Sequence, residues 1–176
     1  PHSTEEALGA VPIADSSEIP IVNYGTFSDA ALDLAWENAD PNRMDGEFPD
    51  PLYGYFWRVS VSADHHATAI AAHLSNAGYS NVAVLHHEGL DSIAIADALD
   101  VACSSCTSRS DFTSGQSDFS NEVSALSGHD AVVILAQSVE GALILAEIHS
   151  QSLDTAMVRG HGMRDPSLLT AVPDAN

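Results

Sequence analysis

Apolar and polar positions alternate between two patterns along the 176-residue chain. Short unbroken apolar runs occur at Ile19-Pro20-Ile21-Val22, Val82-Ala83-Val84-Leu85 and Ala131-Val132-Val133-Ile134-Leu135. Runs of this length between turn formers read as strands buried on both faces. The aromatic and β-branched stretch 55–61 predicts another strand, and short ones are expected at 106–108 and 156–158. Between them the spacing turns helical, as in Ile93, Ala96, Leu99 and Ala102. Ser3-Thr4-Glu5-Glu6 reads as a capping box opening a helix to about residue 14. Ser28 is placed to cap a second helix, over 28–36. Asp64 is expected to cap a third, which stops at Gly78. Further helices are expected at 93–103, 119–126 and 140–149, with Pro166 opening a last short one. Residues 38–51, rich in Pro, Gly and Asp, form a loop.

Strands alternating with helices predict an α/β fold with a parallel sheet covered on both faces. Residues 62–158 repeat the α-β unit regularly. Before them lies a separate α-β-α piece and the loop, so the strand at 55–61 reads as a connection between two lobes. No fixed-period repeat or low-complexity tract interrupts this order.

Charge narrows the function. Lys and Arg total 5, Asp and Glu total 25, and the formal net charge is −20. All five cations are Arg: Arg43, Arg58, Arg109, Arg159 and Arg164. Such a chain is a poor match for nucleic acid, whose phosphates must be neutralised by cations. It also disfavours docking on an anionic membrane. No run of about 18 apolar residues exists to span a bilayer. Two origins of the acidity stay open: a salt-rich habitat, where screening relieves self-repulsion, or a general acidic bias of composition. The chain begins at Pro1 without an initiator Met, which suggests a signal-processed product or a fragment.

Several stretches together are similar to the type I periplasmic solute-binding proteins. They are Ile19 to Ser28; Phe56-Trp57-Arg58-Val59-Ser60 with Ser62-Ala63-Asp64; Gly78 to Leu85; Ser117-Asp118-Phe119-Ser120; and Asp130-Ala131-Val132 followed by Gly162 and Asp165-Pro166. Within that family the chain resembles the binders of branched-chain amino acids and amides, which share their fold with receptor ligand-binding regions. The resemblance implies two Rossmann-like lobes with parallel sheets flanked by helices. Residues 1–58 then belong to an incomplete lobe one, 59–160 to lobe two, and 161–176 to the start of a return to lobe one. It implies an exported, extracytoplasmic protein that captures a small polar solute, such as an amino acid or amide. The solute would pass to the permease subunits of an ABC transporter, with no cofactor. A ligand-sensing extracellular domain of a membrane receptor is the alternative.

Candidate contacts follow from strand ends and from the resemblance. The loop Asn23 to Ser28 lies at a strand's carboxyl end, where open α/β sheets bind ligands. Helix starts there offer N–H groups and a positive dipole end. The resemblance implies that Ser3, Thr26, Phe27 and Ser28 hold a ligand carboxylate; Ser3 and Ser28 as plain N-caps is the competing reading. In the second lobe it points to Asp91, Gln137, Ser138 and His161. His161 stands where the family often has an acid for the ligand's ammonium, so the solute here need not be a zwitterionic amino acid.

Other chemistry finds less in the chain. The pairs His65-His66 and His86-His87, with His73, lack the spacing of a metal motif. No nucleophile elbow, P-loop or dinucleotide fingerprint occurs, so the chain is not expected to be an enzyme. Tyr53, Tyr55, Phe56 and Trp57 suit either packing at the lobe junction or a cleft wall. Cys103 and Cys106 read as a local disulfide or two free thiols; a redox pair would open a helix, whereas these follow one.

Overall fold

Two parallel sheets form from the apolar runs. The computed structural model describes residues 3–17, 19–25, 27–28, 56–160 and 163. The chain divides into two compact units, Pro1–His66 and Ala67–Asn176. The helix expected at 28–36, the loop at 38–51 and the helix at Pro166 lie outside the described residues.

In the first unit, α1 (Thr4–Ser17) leads into β1 (Ile21–Asn23), which pairs in parallel with β2 (Phe56–Arg58). Ser3 closes the helix start: its Oγ accepts the Glu6 N–H at 3.3 Å. Ala7, Val11 and Ala14 are buried at helical spacing, and α1 packs on both strands. The helix runs past residue 14 and contains Pro12. Pro12 is exposed, so water can satisfy the carbonyl its missing N–H leaves free. Strand β1 begins two residues later than the apolar run suggested, because Pro20 has no N–H for a ladder. Strand β2 is shorter than 55–61, although the Val59 N–H still reaches the Asn23 carbonyl at 2.8 Å.

Helix α2 (Ala63–Ala77) follows. Its cap is Ser62 rather than the expected Asp64: the His65 N–H donates to Ser62 Oγ at 3.4 Å. Asp64 sits in the first turn, where its charge suits the positive helix end. The helix ends at Gly78, whose φ of +81° is the left-handed conformation that favours glycine. Tyr79 N–H then donates back to the Leu74 carbonyl at 3.1 Å, completing a Schellman stop.

The second unit continues with β3 (Val82–His87), α3 (Leu90–Ala102), β4 (Cys106–Phe112) and α4 (Ser120–Ala125). It then forms β5 (Ala131–Leu135), α5 (Ser138–Ser150) and β6 (Ala156–Arg159). The four strands are parallel in the order β4-β3-β5-β6. The inner strands are buried almost throughout, as a sheet covered on both faces requires. One face carries Ala83, Leu85, Val132 and Ile134, packed with Phe112, Phe119, Val123, Ile144 and Ile148. The rings of Phe112 and Phe119 meet edge to face at 5.2 Å. Met163 is buried in the same core and lies over Gly141, where a Cβ would meet its Cε at 2.7 Å.

Strand β4 is more than twice its expected length. Its register with β3 slips after Val82, so Thr107 is an extra residue between Cys106 and Ser108. Cys103 and Cys106 are joined by a disulfide with their Cα atoms 5.4 Å apart. The bridge ties the end of α3 to the first residue of β4. Closing so short a loop constrains the unfolded chain by about 2 kcal/mol.

At the amino ends of β3 and β5, Asp130 buckles the two strands. Its Oδ2 accepts the Ser80 N–H at 3.1 Å, the Ser80 hydroxyl at 3.0 Å and the Asn81 N–H at 3.0 Å. The bonds from Ser80, then from Asn81, hold the carboxyl below its usual range. A lowered folded value means stability that is present above the unfolded value and lost as pH falls through the folded one. Asp130→Asn should therefore lower the melting temperature at neutral pH. The gap from wild type should close only as pH falls below about 3.9, and a gap unchanged in stronger acid would refute this.

Candidate functional site

The chain order of the second sheet reverses direction between β3 and β5: β4 lies to one side of β3, and β5 then β6 to the other. In open parallel sheets such a reversal leaves a crevice at the carboxyl ends of the two strands. Glu88, Gly89, Leu90 and Asp91 follow β3, and Ala136, Gln137 and Ser138 follow β5. Gly89 and Gln137 are the N-caps of α3 and α5; both are extended, and neither helix is closed by a side-chain bond from its cap. The positive ends of two 13-residue helices thus stand at the same sheet edge. Asp91 and Ser138 are half-buried there and Gln137 is exposed.

The loop after β4 is fastened to this edge by carboxylates. The Ser114 N–H donates to Glu88 Oε1 at 3.0 Å, and the Gly115 N–H to Glu140 Oε1 at 3.4 Å. Gln116 Nε2 donates to the Asp118 carbonyl at 2.7 Å and to Glu122 Oε1 at 2.8 Å. Asp118 accepts the Ser120 N–H at 3.0 Å, and this bond keeps its carboxyl below the usual range. His87 Nδ1 accepts the Gly89 N–H at 2.9 Å, which leaves Nε2 as the site of the proton in the neutral ring.

A second polar cluster lies between β3, β4 and α3. His86 is buried; its Nε2 accepts the Arg109 Nε–H at 2.9 Å, and its Nδ1 donates to the His87 carbonyl at 2.9 Å. Both bonds together require the neutral Nδ1–H tautomer. Arg109 Nη1 donates to Asp97 Oδ1 and Asp100 Oδ2, each at 2.7 Å. Burial works against the guanidinium charge, but its bonds to Asp97 and Asp100 outweigh it and raise the pKa. This cluster fastens the outer strand to its helix.

In the first unit, the carboxyl end of β1 turns sharply: Asn23 is buried, and its Oδ1 accepts the Gly25 N–H at 2.9 Å. Phe27 is buried with its ring edge-on to His66 at 4.7 Å. Its carbonyl accepts the Ala63 N–H at 2.9 Å. Arg58 Nη1 donates to the carbonyls of Phe27 and Ser28, at 3.4 and 3.2 Å. Phe27 and Ser28 are therefore held together at one strand end, and Ser3 opens the helix leading into that strand. Thr26 and His161 lie outside the described residues.

Among the proposed contacts, Asp91, Gln137 and Ser138 come together at one sheet edge. Arg58, Glu88 and Glu140 were not picked out as site residues, although each shapes a strand-end loop. Arg58 carried a signal, as one of only five cations in the chain. Among the described residues, no group of three or more His, Cys, Asp or Glu could hold a metal ion. None of their helices is long and apolar enough to cross a membrane. A groove of about 340 Å³, lined by Thr68, Ala71, Ser75, Cys103 and Ser105 among others, lies beside the disulfide, away from the strand carboxyl ends.

No family model and no curated protein matches the sequence. Solved structures do. A leucine binding protein, LivK, from Thermotoga maritima MSB8 is 22% identical, with a TM-score of 0.75 over 97% of this chain and 46% of that one. A periplasmic binding protein type 1 from Bordetella pertussis Tohama I is 13% identical, with a TM-score of 0.77 over 97% of this chain and 45% of that one. The branched-chain amino acid transporter substrate binding protein LivJ from Streptococcus pneumoniae, solved with isoleucine, is 16% identical, with a TM-score of 0.79 over the same shares. The α/β fold is that of the type 1 periplasmic binding proteins, and the chain spans about half the length of the structures it matches. For Ser3, the hydrogen bond to Glu6 gives a separate expectation. Ser3→Ala should lower unfolding stability by about 1 kcal/mol in a denaturant titration, and Ser3→Asn should restore it.

Proposed function

We propose that the chain is part of an extracytoplasmic solute-binding protein that captures a small polar solute and delivers it to an ABC permease. Residues 1–58 belong to one lobe, 59–160 to the other, and 161–176 to the return. The reading is carried by one observation: Asp91, Gln137 and Ser138 stand at the carboxyl ends of β3 and β5, where sheets of this fold class take ligands. The two helix starts at that edge suit an anionic or carbonyl group of the solute, and Asp91 suits a donor. Ser3, Thr26, Phe27 and Ser28 supply hydroxyl and backbone groups from the first lobe, and His161, at the start of the return, a further contact. A solute that touches both lobes only when they are closed stabilises the closed form by that difference in contacts. That form is the one a permease reads.

The test is calorimetric titration of the protein with a panel of amino acids, their amides and small organic acids. One member should bind, and the double variant Gln137→Ala with Ser138→Ala should weaken it about tenfold or more. Thr26→Ala with Ser28→Ala should do the same. Unchanged affinity in the first pair would remove the β5 end from the site. Turnover of any member without a partner would favour an enzyme instead.

A further inference from the structure

His87 is the last residue of β3, and Gly89, two residues on, is the N-cap of α3. Gly89 has no side chain with which to close that helix, and its N–H donates to His87 Nδ1 at 2.9 Å. Its carbonyl accepts the Ile93 N–H at 3.0 Å, the first bond of the helix. The strand end therefore holds the cap, and the cap holds the first turn, which carries Asp91. The ring is set edge-on to Phe112 of β4, with centroids 5.6 Å apart. His87 and Gly89 are both half-buried, so the bond between them is partly shielded from competing water.

Nδ1 accepts this N–H only while it carries no proton. In an imidazolium both ring nitrogens are donors, so N–H would face N–H and the bond would open. Imidazole is the side chain that changes charge between about pH 5 and 8. The titratable groups on the elements that meet here are Glu88 in the same loop, Asp91 on α3, Asp111 on β4, Asp118 in the loop after it and Glu140 on α5. These are all acids, so an added positive charge meets no cation among them. Strand β5 and the residues up to Ser138 contribute no titratable group. On β3 itself stands His86, whose Nε2 is occupied by Arg109, and Arg109 is turned to Asp97 and Asp100. We propose that His87 is a positioning residue for the ligand edge and acts as a proton-operated latch. Neutral, it fixes the start of α3; on taking a proton from solvent at Nδ1, it releases that start. The effect on a solute rests on the function proposed above: acid loosens the turn that presents Asp91 and weakens the hold. The latch itself needs no solute, so its failure can be told from a failure of that reading.

The test follows isotope-labelled protein by NMR from about pH 8 to about pH 5. The His87 ring should pass from one nitrogen-bound proton to two, and the Gly89 amide resonance should shift with the same midpoint. Protection of that amide from exchange, corrected for the pH dependence of intrinsic exchange, should fall about tenfold or more. His87→Asn supplies a non-titrating oxygen that can accept the N–H two residues on, as in an Asx turn, so it should keep the bond and abolish the pH response. His87→Phe keeps a ring against Phe112 without an acceptor, and should show the acid-form Gly89 signal at every pH. Three results would overturn the proposal: a Gly89 amide that does not respond while the ring titrates, a ring that stays neutral down to about pH 5, or a pH response left unchanged by His87→Asn.

Discussion

The second unit depends on one requirement: the central strands β3 and β5 are buried on both faces. A strand in that position has no water to satisfy its backbone, so every N–H and C=O must pair sideways with a neighbouring strand. Parallel neighbours need crossover connections, and these bring α3, α4 and α5 onto the two faces. Each buried Val, Leu or Ile then contributes about 1.5–3 kcal/mol. The same geometry leaves the carboxyl strand ends as the place where loops, helix starts and polar side chains meet. Asp91, Gln137 and Ser138 share an edge because the sheet leaves it open to polar groups.

His86 departs from the apolar rule within that core, and its partners show what the departure requires. A buried imidazole must have both nitrogens bonded, so one donates to the His87 carbonyl and the other accepts from Arg109. Arg109 is thereby directed at Asp97 and Asp100 of α3. The outer strand β4 has a mostly polar sequence and gains little from burial. Its attachment comes from the backbone ladder, this cluster and the disulfide.

Much of the fold was legible because burial and sequence agree. The strand Ala131 to Leu135 matches its expectation at both ends, since its five residues are all buried and apolar and Asp130 stands directly before them. Strand β4 was read at less than half its length because Arg109, Ser110 and Asp111 carry no apolar alternation; backbone pairing alone makes them a strand. Helix α3 begins earlier than expected because Leu90, Asp91 and Ser92 look like loop residues, yet Gly89 supplies an extended cap. Asp64 was expected as a cap, and only the geometry of the His65 N–H gives that place to Ser62. The contacts expected from the resemblance, Asp91, Gln137 and Ser138, lie at the carboxyl ends of β3 and β5. The bonds that Glu88 and Glu140 make were not legible, because their partners lie more than twenty positions away in a different loop.

The acidity itself has a structural use. With 25 carboxylates and 5 arginines, most acids cannot find a cation. Glu88, Asp118, Asp130 and Glu140 instead accept backbone N–H groups at turns and loop starts. Such bonds neutralise a carboxylate locally with peptide dipoles, over distances well inside the roughly 8 Å at which physiological salt screens. A chain without lysine can therefore keep a high negative charge for solubility while fixing its loops with that same charge. Raising the salt concentration weakens the long-range repulsion among the surface acids and leaves these short contacts largely intact.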